Sequence, residues 1–224
     1  MTNTGRYIRA VLWDMDGTLM DSQPLWDESF RNCCRERGGT VTPEQVAGIA
    51  GASIARTCEL IAETGATASP EDPATAEVFA KISAQVEAAV RADPPILPGA
   101  RNITATLNEV GLAQVIVTQS PRPIVEAVAH ALGDVFVELV TGDDGLPGKP
   151  TPAPYAAAIE LLGLSPEECV VVEDSATGAA SARSNNLRVI QVGGKTKHFP
   201  GDPGLIVVDR KSTRLNSSHS TESR

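Results

Sequence analysis

The chain has 224 residues, of which 42% are hydrophobic and 21% charged, so it holds enough apolar material for a buried core and is not a disordered protein. Its net charge of −9 argues against a nucleic-acid partner, because nucleic-acid-binding proteins carry a basic surface. The sequence has no apolar run long enough to cross a membrane and no signal-peptide pattern at its start, which predicts a cytoplasmic protein without a membrane partner.

The first predicted element is a short buried strand over residues 7–13, which ends at Asp14. Residues 23–93 then place apolar side chains at helical spacing, and a cap residue followed by proline predicts helix starts at Thr42 and at Ser69. We interpret this segment as an all-helical module inserted after the first strand.

Strands and helices alternate in the rest of the chain. The predicted strands cover residues 113–118, 135–140, 169–172, 188–192 and 205–208, and the predicted helices cover 122–132, 152–162 and 176–184. Such alternation is typical of an α/β fold with a doubly wound parallel sheet. We therefore expect an α/β core from residues 1–19 and 95–210 and a helical cap over residues 20–94. The Ser-rich residues 211–224 are expected to form a disordered tail of non-native sequence.

Acidic residues cluster directly after two of the predicted strands, as Asp14 and Asp16 and as Glu173 and Asp174. In a doubly wound sheet, ligands bind at the carboxyl ends of the strands, so we expect the four carboxylates to converge there. Four neighbouring carboxylates resist ionising together unless a cation lies among them. The four cysteines and three histidines have no metal-ligand spacing, and oxygen ligands alone favour Mg²⁺.

Two further residues at strand ends suit the binding of an anion. Thr118 would supply a hydroxyl donor and Lys149 a positive charge for a phosphate group. In such a site Asp14 could attack phosphorus and form an aspartyl-phosphate. Asp16, two residues further on, could act first as general acid and then as general base.

Four motifs carry a specific resemblance: DMDGTLMDS (14–22), VTQS (117–120), GKPTPAPY (148–155) and VVVEDSATG (170–178). With them, the chain resembles the haloacid dehalogenase superfamily of phosphohydrolases over about residues 7–208. The most similar subgroup has a helical cap inserted after the first motif and includes β-phosphoglucomutase-like enzymes and sugar-phosphate phosphatases. The resemblance implies a Rossmann-like core.

The resemblance also implies roles for single residues. Asp14 corresponds to the nucleophile and Asp16 to the general acid and base. Mg²⁺ would be held by the Asp14 side chain, the Asp16 backbone carbonyl and Asp174, with Glu173 close by. The phosphoryl group would be held by Thr118, the Gln119 backbone and Lys149, with Gly17 and Thr18 in the tight turn that passes the phosphate.

We therefore expect a monomeric Mg²⁺-dependent phosphatase that hydrolyses a small phosphate monoester, such as a sugar phosphate or related metabolite. The second acid, Asp16, argues against the dehalogenase branch, which protonates no alkoxide. Phosphonate hydrolysis would need a reactive lysine in the cap, and the single cap lysine, Lys81, is not placed for it. A non-catalytic phospho-switch and an inactive binding protein are the alternatives from another class.

A β-phosphoglucomutase-like isomerase is the remaining enzymatic alternative. A mutase must bind a second phosphate in its cap, and Arg56 is displaced by two positions from the expected arginine. Residues 20–94 carry twelve acidic and six basic residues, which does not favour a second phosphate. Trp26, Ser53 and Arg56 are candidate substrate contacts from the cap, with Trp26 also a candidate core residue.

Overall fold

The computed structural model describes residues 7–193 and 205–208, and its centre is a six-stranded parallel sheet. The strand order is β3-β2-β1-β4-β5-β6. The strands are β1 (Ala10–Trp13), β2 (Ala113–Val117), β3 (Glu138–Val140), β4 (Cys169–Glu173), β5 (Arg188–Val192) and β6 (Leu205–Val208). The predicted doubly wound parallel α/β fold is confirmed.

The helices fall into two groups along the chain. Between β1 and β2 lie α1 (Gln23–Glu36), α2 (Pro43–Gly48), α3 (Ile54–Glu63), α4 (Pro73–Ala92) and α5 (Ala100–Glu109). The later strands are joined by α6 (Arg122–Ala131), α7 (Ala153–Leu162) and α8 (Ala176–Arg183). We call α1–α4, residues 23–92, the helical insertion. Assigning it to a separate cap domain stays a prediction.

Strand β1 lies between β2 and β4, with Ala10 in register with both Ala113 and Cys169. All of its residues are buried, as expected for a central strand of a parallel sheet covered on both faces. Val11 belongs to the apolar core on one face of the sheet and Leu12 to the core on the other, because side chains alternate along a strand.

The helical insertion has an apolar core of its own, centred on residues such as Phe30, Ile61 and Ile82. Trp26 packs against this core and also against the core on one face of the sheet. The insertion is therefore in apolar contact with the α/β core near the start of α1.

Several predicted boundaries differ from the structure. Residues 7–9 are not part of the strand, and Tyr7 is 84% exposed. The third strand starts at Glu138 rather than at residue 135. The sequence predicted that Ser69 caps a helix beginning at Pro70, but α4 starts three residues later, at Pro73. The cap is Asp72, which accepts a 2.9 Å hydrogen bond from the Ala74 amide.

Helix α5 was not predicted from the sequence, and within it only Ala100 and Thr104 are buried. The predicted start of α2 is confirmed: Thr42 and Gln45 form a reciprocal capping box. Residues 211–224, predicted to be a tail, lie outside the described residues. In the described part of the chain, no helix is both long enough and apolar enough to cross a bilayer.

Candidate active site

A cavity of about 310 Å³ lies where the loops after β1, β2 and β4 meet the helical insertion. The central position of β1 places Asp14, the residue that follows it, in the middle of this edge of the sheet. The predicted site residues that line the cavity are Asp14, Asp16, Gly17, Thr118, Gln119, Lys149 and Asp174. Asp14 and Lys149, which are 135 positions apart in the sequence, are thus brought together, as expected for the carboxyl ends of parallel strands.

The Lys149 side chain is buried between two carboxylates. Its Nζ atom donates hydrogen bonds of 2.8 Å to Asp14 Oδ1 and of 2.8 Å to Glu173 Oε1, and it lies 5.0 Å from the centre of the Tyr155 ring. Burial lowers the pKa of Lys149, but the Asp14 and Glu173 carboxylates outweigh burial and raise it. The side chain therefore carries a positive charge at neutral pH.

Glu173 is completely buried and does not line the cavity. Besides Lys149, it binds the amide and the hydroxyl of Ser175 at 2.8 and 2.9 Å. A side chain at Gly178 would place its Cβ atom 1.5 Å from Glu173 Oε1. The carboxylate therefore fits only because this position in the first turn of α8 is a glycine. Glu173 is thus a buried anchor for Lys149.

Three carboxylates form a cluster that can hold a metal ion. Asp14, Glu173 and Asp174 each offer an oxygen atom, and these atoms lie within 4.8 Å of one another. Asp14 Oδ2 is buried without a hydrogen-bond partner among the described residues. Burial and the Glu173 carboxylate raise the pKa of Asp14, while Lys149 opposes them. A set of oxygen donors with excess negative charge fits a hard divalent cation.

Gly17 allows the turn after β1 to approach this cluster. Its φ of +88° is a left-handed conformation, which glycine adopts without strain. A Cβ atom at this position would lie 2.2 Å from Asp174 Oδ2. Both the backbone conformation and the close approach to Asp174 therefore require glycine.

The Asp16 carboxylate lies outside the acidic cluster and is bound by three hydroxyl groups. Ser22 donates to Oδ1 at 2.5 Å, and Thr118 and Ser120 donate to Oδ2 at 2.9 and 2.7 Å. Ser22 and Ser120 lie within the motifs that the sequence showed, although no role was predicted for them. These bonds hold the carboxylate at the cavity wall in one orientation.

The Gln119 side chain joins the core to the helical insertion. Its Nε2 atom donates a 2.5 Å hydrogen bond to the backbone oxygen of Gly51, in the loop between α2 and α3. A Cβ atom at Gly148 would lie 2.3 Å from Gln119 Oε1, so the glycine next to Lys149 leaves room for this side chain. The sequence predicted only a backbone role for Gln119.

Three predicted contacts are not brought to the cavity. Thr18, predicted to lie in the tight turn that passes the phosphate, is buried in that turn, where its amide donates to the Met15 backbone oxygen. Ser53 caps α3 by accepting a hydrogen bond from the Arg56 amide. Arg56 points to solvent and binds Glu59 and Glu63. By contrast, Trp26 both lines the cavity and packs in the core.

Residues 8–186 match the sequence model of a hydrolase family described as haloacid dehalogenase-like hydrolase. The chain therefore belongs to this family, and the predicted family and enzyme class, a phosphoric monoester hydrolase, are confirmed.

Curated relatives match nearly the whole chain. Hexitol phosphatase A of Escherichia coli is 34% identical over 203 residues, covering 90% of this chain and 88% of the relative. Hexitol phosphatase B of Escherichia coli is 29% identical over 217 residues, covering 95% of both chains. The crystal structure of CbbY from Rhodobacter sphaeroides in complex with phosphate has a TM-score of 0.75 at 24% identity. It covers 90% of this chain and 93% of CbbY, and shows that the fold is shared.

Proposed function

We propose that this enzyme is a Mg²⁺-dependent phosphatase that hydrolyses small phosphate monoesters, such as sugar phosphates, through an aspartyl-phosphate on Asp14. The observation that carries the proposal is the position of Asp14 in the cavity wall. One of its carboxylate oxygens binds Lys149, and the other has no hydrogen-bond partner among the described residues. The names of the two hexitol phosphatases support a sugar-like substrate.

In the proposed reaction an Asp14 carboxylate oxygen attacks phosphorus, and the bond between phosphorus and the ester oxygen breaks. Asp16 gives its proton to the departing alkoxide, and the alcohol leaves. Asp16 then removes a proton from water, which attacks the aspartyl-phosphate and releases phosphate. The Lys149 charge binds phosphoryl oxygens during both steps, and the Thr118 hydroxyl turns from Asp16 Oδ2 to donate to them as well.

The acidic cluster would hold the metal ion through Asp14, Asp174 and the Asp16 backbone carbonyl, with Glu173 behind them. The donors fit Mg²⁺, because they are oxygen atoms and Asp14 Oδ2 lacks another partner in the described chain. When bound, Mg²⁺ supplies positive charge against the phosphoryl oxygens. The helical insertion covers the cavity and limits the access of water.

A phosphate-release assay over a panel of phosphorylated metabolites, with Mg²⁺ or with a chelator, tests the proposal. We expect turnover that needs Mg²⁺ and is lost in Asp14→Asn, together with a phosphoryl adduct on the Asp14 peptide of acid-quenched wild-type enzyme. The exposed Asp134→Asn is the matched control and should keep full activity. Robust turnover in Asp14→Asn would overturn the role of the nucleophile.

The same assay separates hydrolysis from isomerisation. A mutase would convert one hexose phosphate isomer into another and would depend on an added bisphosphate. Net release of phosphate without a bisphosphate is the result we expect. The monomeric state and the cytoplasmic location stay predictions, and light scattering on the purified enzyme tests the first.

A further inference from the structure

The wall of the cavity that faces the acidic cluster comes from the helical insertion. It consists of Gln23, Trp26, Ile49, Ala50, Gly51, Ala52, Ile54, Thr57 and Phe79. We call these residues the insertion wall. Because Lys149 and the acidic cluster lie at the edge of the sheet, a substrate whose phosphate binds there directs its leaving group towards the insertion wall.

The insertion wall is uncharged, and the rest of the cavity lining is acidic. Among the described residues that line the cavity, Lys149 is the only basic side chain, and it already binds Asp14 and Glu173. Four aspartates line the same cavity: Asp14, Asp16, Asp21 and Asp174. Among the described residues, a second anionic group on the leaving alcohol would therefore find no positive partner beyond the phosphate site.

Arg56 is the basic residue of the insertion closest in sequence to this wall, and it is already engaged. Its Nη1 atom binds Glu59 at 2.7 Å and Glu63 at 2.8 Å, and its side chain is 44% exposed. It does not line the cavity, whereas Ile54, two residues earlier, does. The helical rotation of about 100° per residue turns Ile54 and Arg56 to opposite sides of α3.

The amide and hydroxyl side chains of the insertion wall are neutral, and each makes a hydrogen bond within the protein. Gln23 Nε2 donates to Asp27 Oδ1 at 2.6 Å, and the Thr57 hydroxyl donates to the Ser53 backbone oxygen at 3.1 Å. Both side chains still offer an acceptor oxygen, and the Gln23 amide nitrogen keeps a second N–H donor. These neutral groups suit the hydroxyl groups of a substrate, which both donate and accept hydrogen bonds, and none of them supplies a positive charge to a carboxylate or phosphate.

We infer that the enzyme selects phosphate monoesters whose leaving group is an uncharged polyhydroxy alcohol and rejects those that carry a second phosphate or a carboxylate. This inference rests on the proposed function and specifies its substrate class. The physical reason is that an anion moved from water to a neutral, partly apolar wall loses hydration without gaining a charged partner.

Two matched pairs of substrates test the inference in the wild-type enzyme. Sorbitol 6-phosphate and 6-phosphogluconate share one carbon chain and differ in a terminal hydroxymethyl or carboxylate group. Fructose 6-phosphate and fructose 1,6-bisphosphate differ in a second phosphate. We expect kcat/KM for the anionic member of each pair to be at least about 100-fold lower. Values within about threefold of each other would overturn the inference, since such a ratio corresponds to a trivial difference in binding.

A substitution in the insertion wall tests whether this wall is the cause. Ile54→Arg introduces a base into it, and we expect the preference for the neutral substrate to fall at least about tenfold. Ile54→Met changes the side chain without charge and should keep the preference. If Ile54→Arg folds by circular dichroism but leaves the ratio unchanged, the wall does not set the selectivity.

The two proposals fail in different ways. If the wild-type enzyme hydrolyses neutral and anionic esters equally well, and Asp14→Asn abolishes both activities, the substrate inference alone is wrong. If no phosphate ester in the panel, including p-nitrophenyl phosphate, is hydrolysed in an Asp14-dependent way, the proposed function is wrong and the inference fails with it.

Discussion

The Lys149 ammonium group donates a 2.8 Å hydrogen bond to Asp14 Oδ1 inside the protein, with only 3% of the lysine side chain exposed. The lysine thus holds the proposed nucleophile in place and supplies charge beside it. Lys149 is itself oriented by Glu173, which is fully buried. The site consequently depends on three buried charges of alternating sign, those of Asp14, Lys149 and Glu173.

Removing the positive charge in Lys149→Met should lower kcat/KM at least about 100-fold, because a preorganised donor next to the reacting group is lost. Lys149→Arg should not restore activity, since a planar guanidinium cannot replace a compact ammonium between two carboxylates. Steady-state kinetics measure both effects. Lys81→Met, which removes an exposed lysine paired with Glu36, is the control and should leave kcat/KM unchanged. Near-normal turnover in Lys149→Met would contradict the assigned role.

Substituting Gly17 should damage both stability and metal binding. In Gly17→Ala, the left-handed backbone and the 2.2 Å approach to Asp174 should lower the free energy of unfolding by about 1–3 kcal/mol. The displaced Asp174 should also weaken the stabilisation of the fold by added Mg²⁺ in thermal melts. Gly163→Ala has a similar φ of +60° with no atom near the new Cβ, so it should show the strain alone. An unchanged Mg²⁺ response in Gly17→Ala would speak against Asp174 as a ligand.

Gln119→Ala removes the hydrogen bond from the core to Gly51. A single such bond contributes about 1 kcal/mol, so we expect kcat/KM to fall about fivefold, mainly through KM, because the loop it holds belongs to the insertion wall. Gln45→Ala, which removes only the α2 capping box, should not change KM. An effect on kcat with KM unchanged would mean that Gln119 acts on the chemical step instead.

The thiols of the native enzyme should react slowly. All four cysteines are free, and burial raises the pKa of Cys34 and of Cys169 to about 11, so both are protonated at pH 8. Iodoacetamide should label these two only after unfolding, as mass spectrometry of the peptides can measure. Because an ordinary thiol has a pKa of about 9, these two cysteines lose their protons at lower pH when the chain is unfolded, and the folded state should lose stability as the pH rises from 9 towards 11. Fast labelling of native Cys34 at pH 8 would show that its thiol is neither buried nor protonated as the structure indicates.

The sequence was sufficient for the fold class and for the charged and phosphate-binding residues that line the cavity at the ends of the strands. Strand periodicity predicted the parallel sheet, and the residues just after each strand had to meet because parallel strands end at one edge. Asp14, Asp16, Thr118, Lys149 and Asp174 were found in this way, from local signals whose geometry follows from the topology.

The tertiary structure alone decided the contacts that depend on the rotation of a helix or on packing between distant segments. Sequence spacing pointed to Arg56, but the turn of α3 places Ile54 in the cavity wall and pairs Arg56 with two glutamates. The burial of Glu173 behind Lys149 and the bond from Gln119 to Gly51 join residues far apart in the chain. The sequence by itself thus determined which residues stand at the ends of the strands, whereas three-dimensional packing determined what each of them faces.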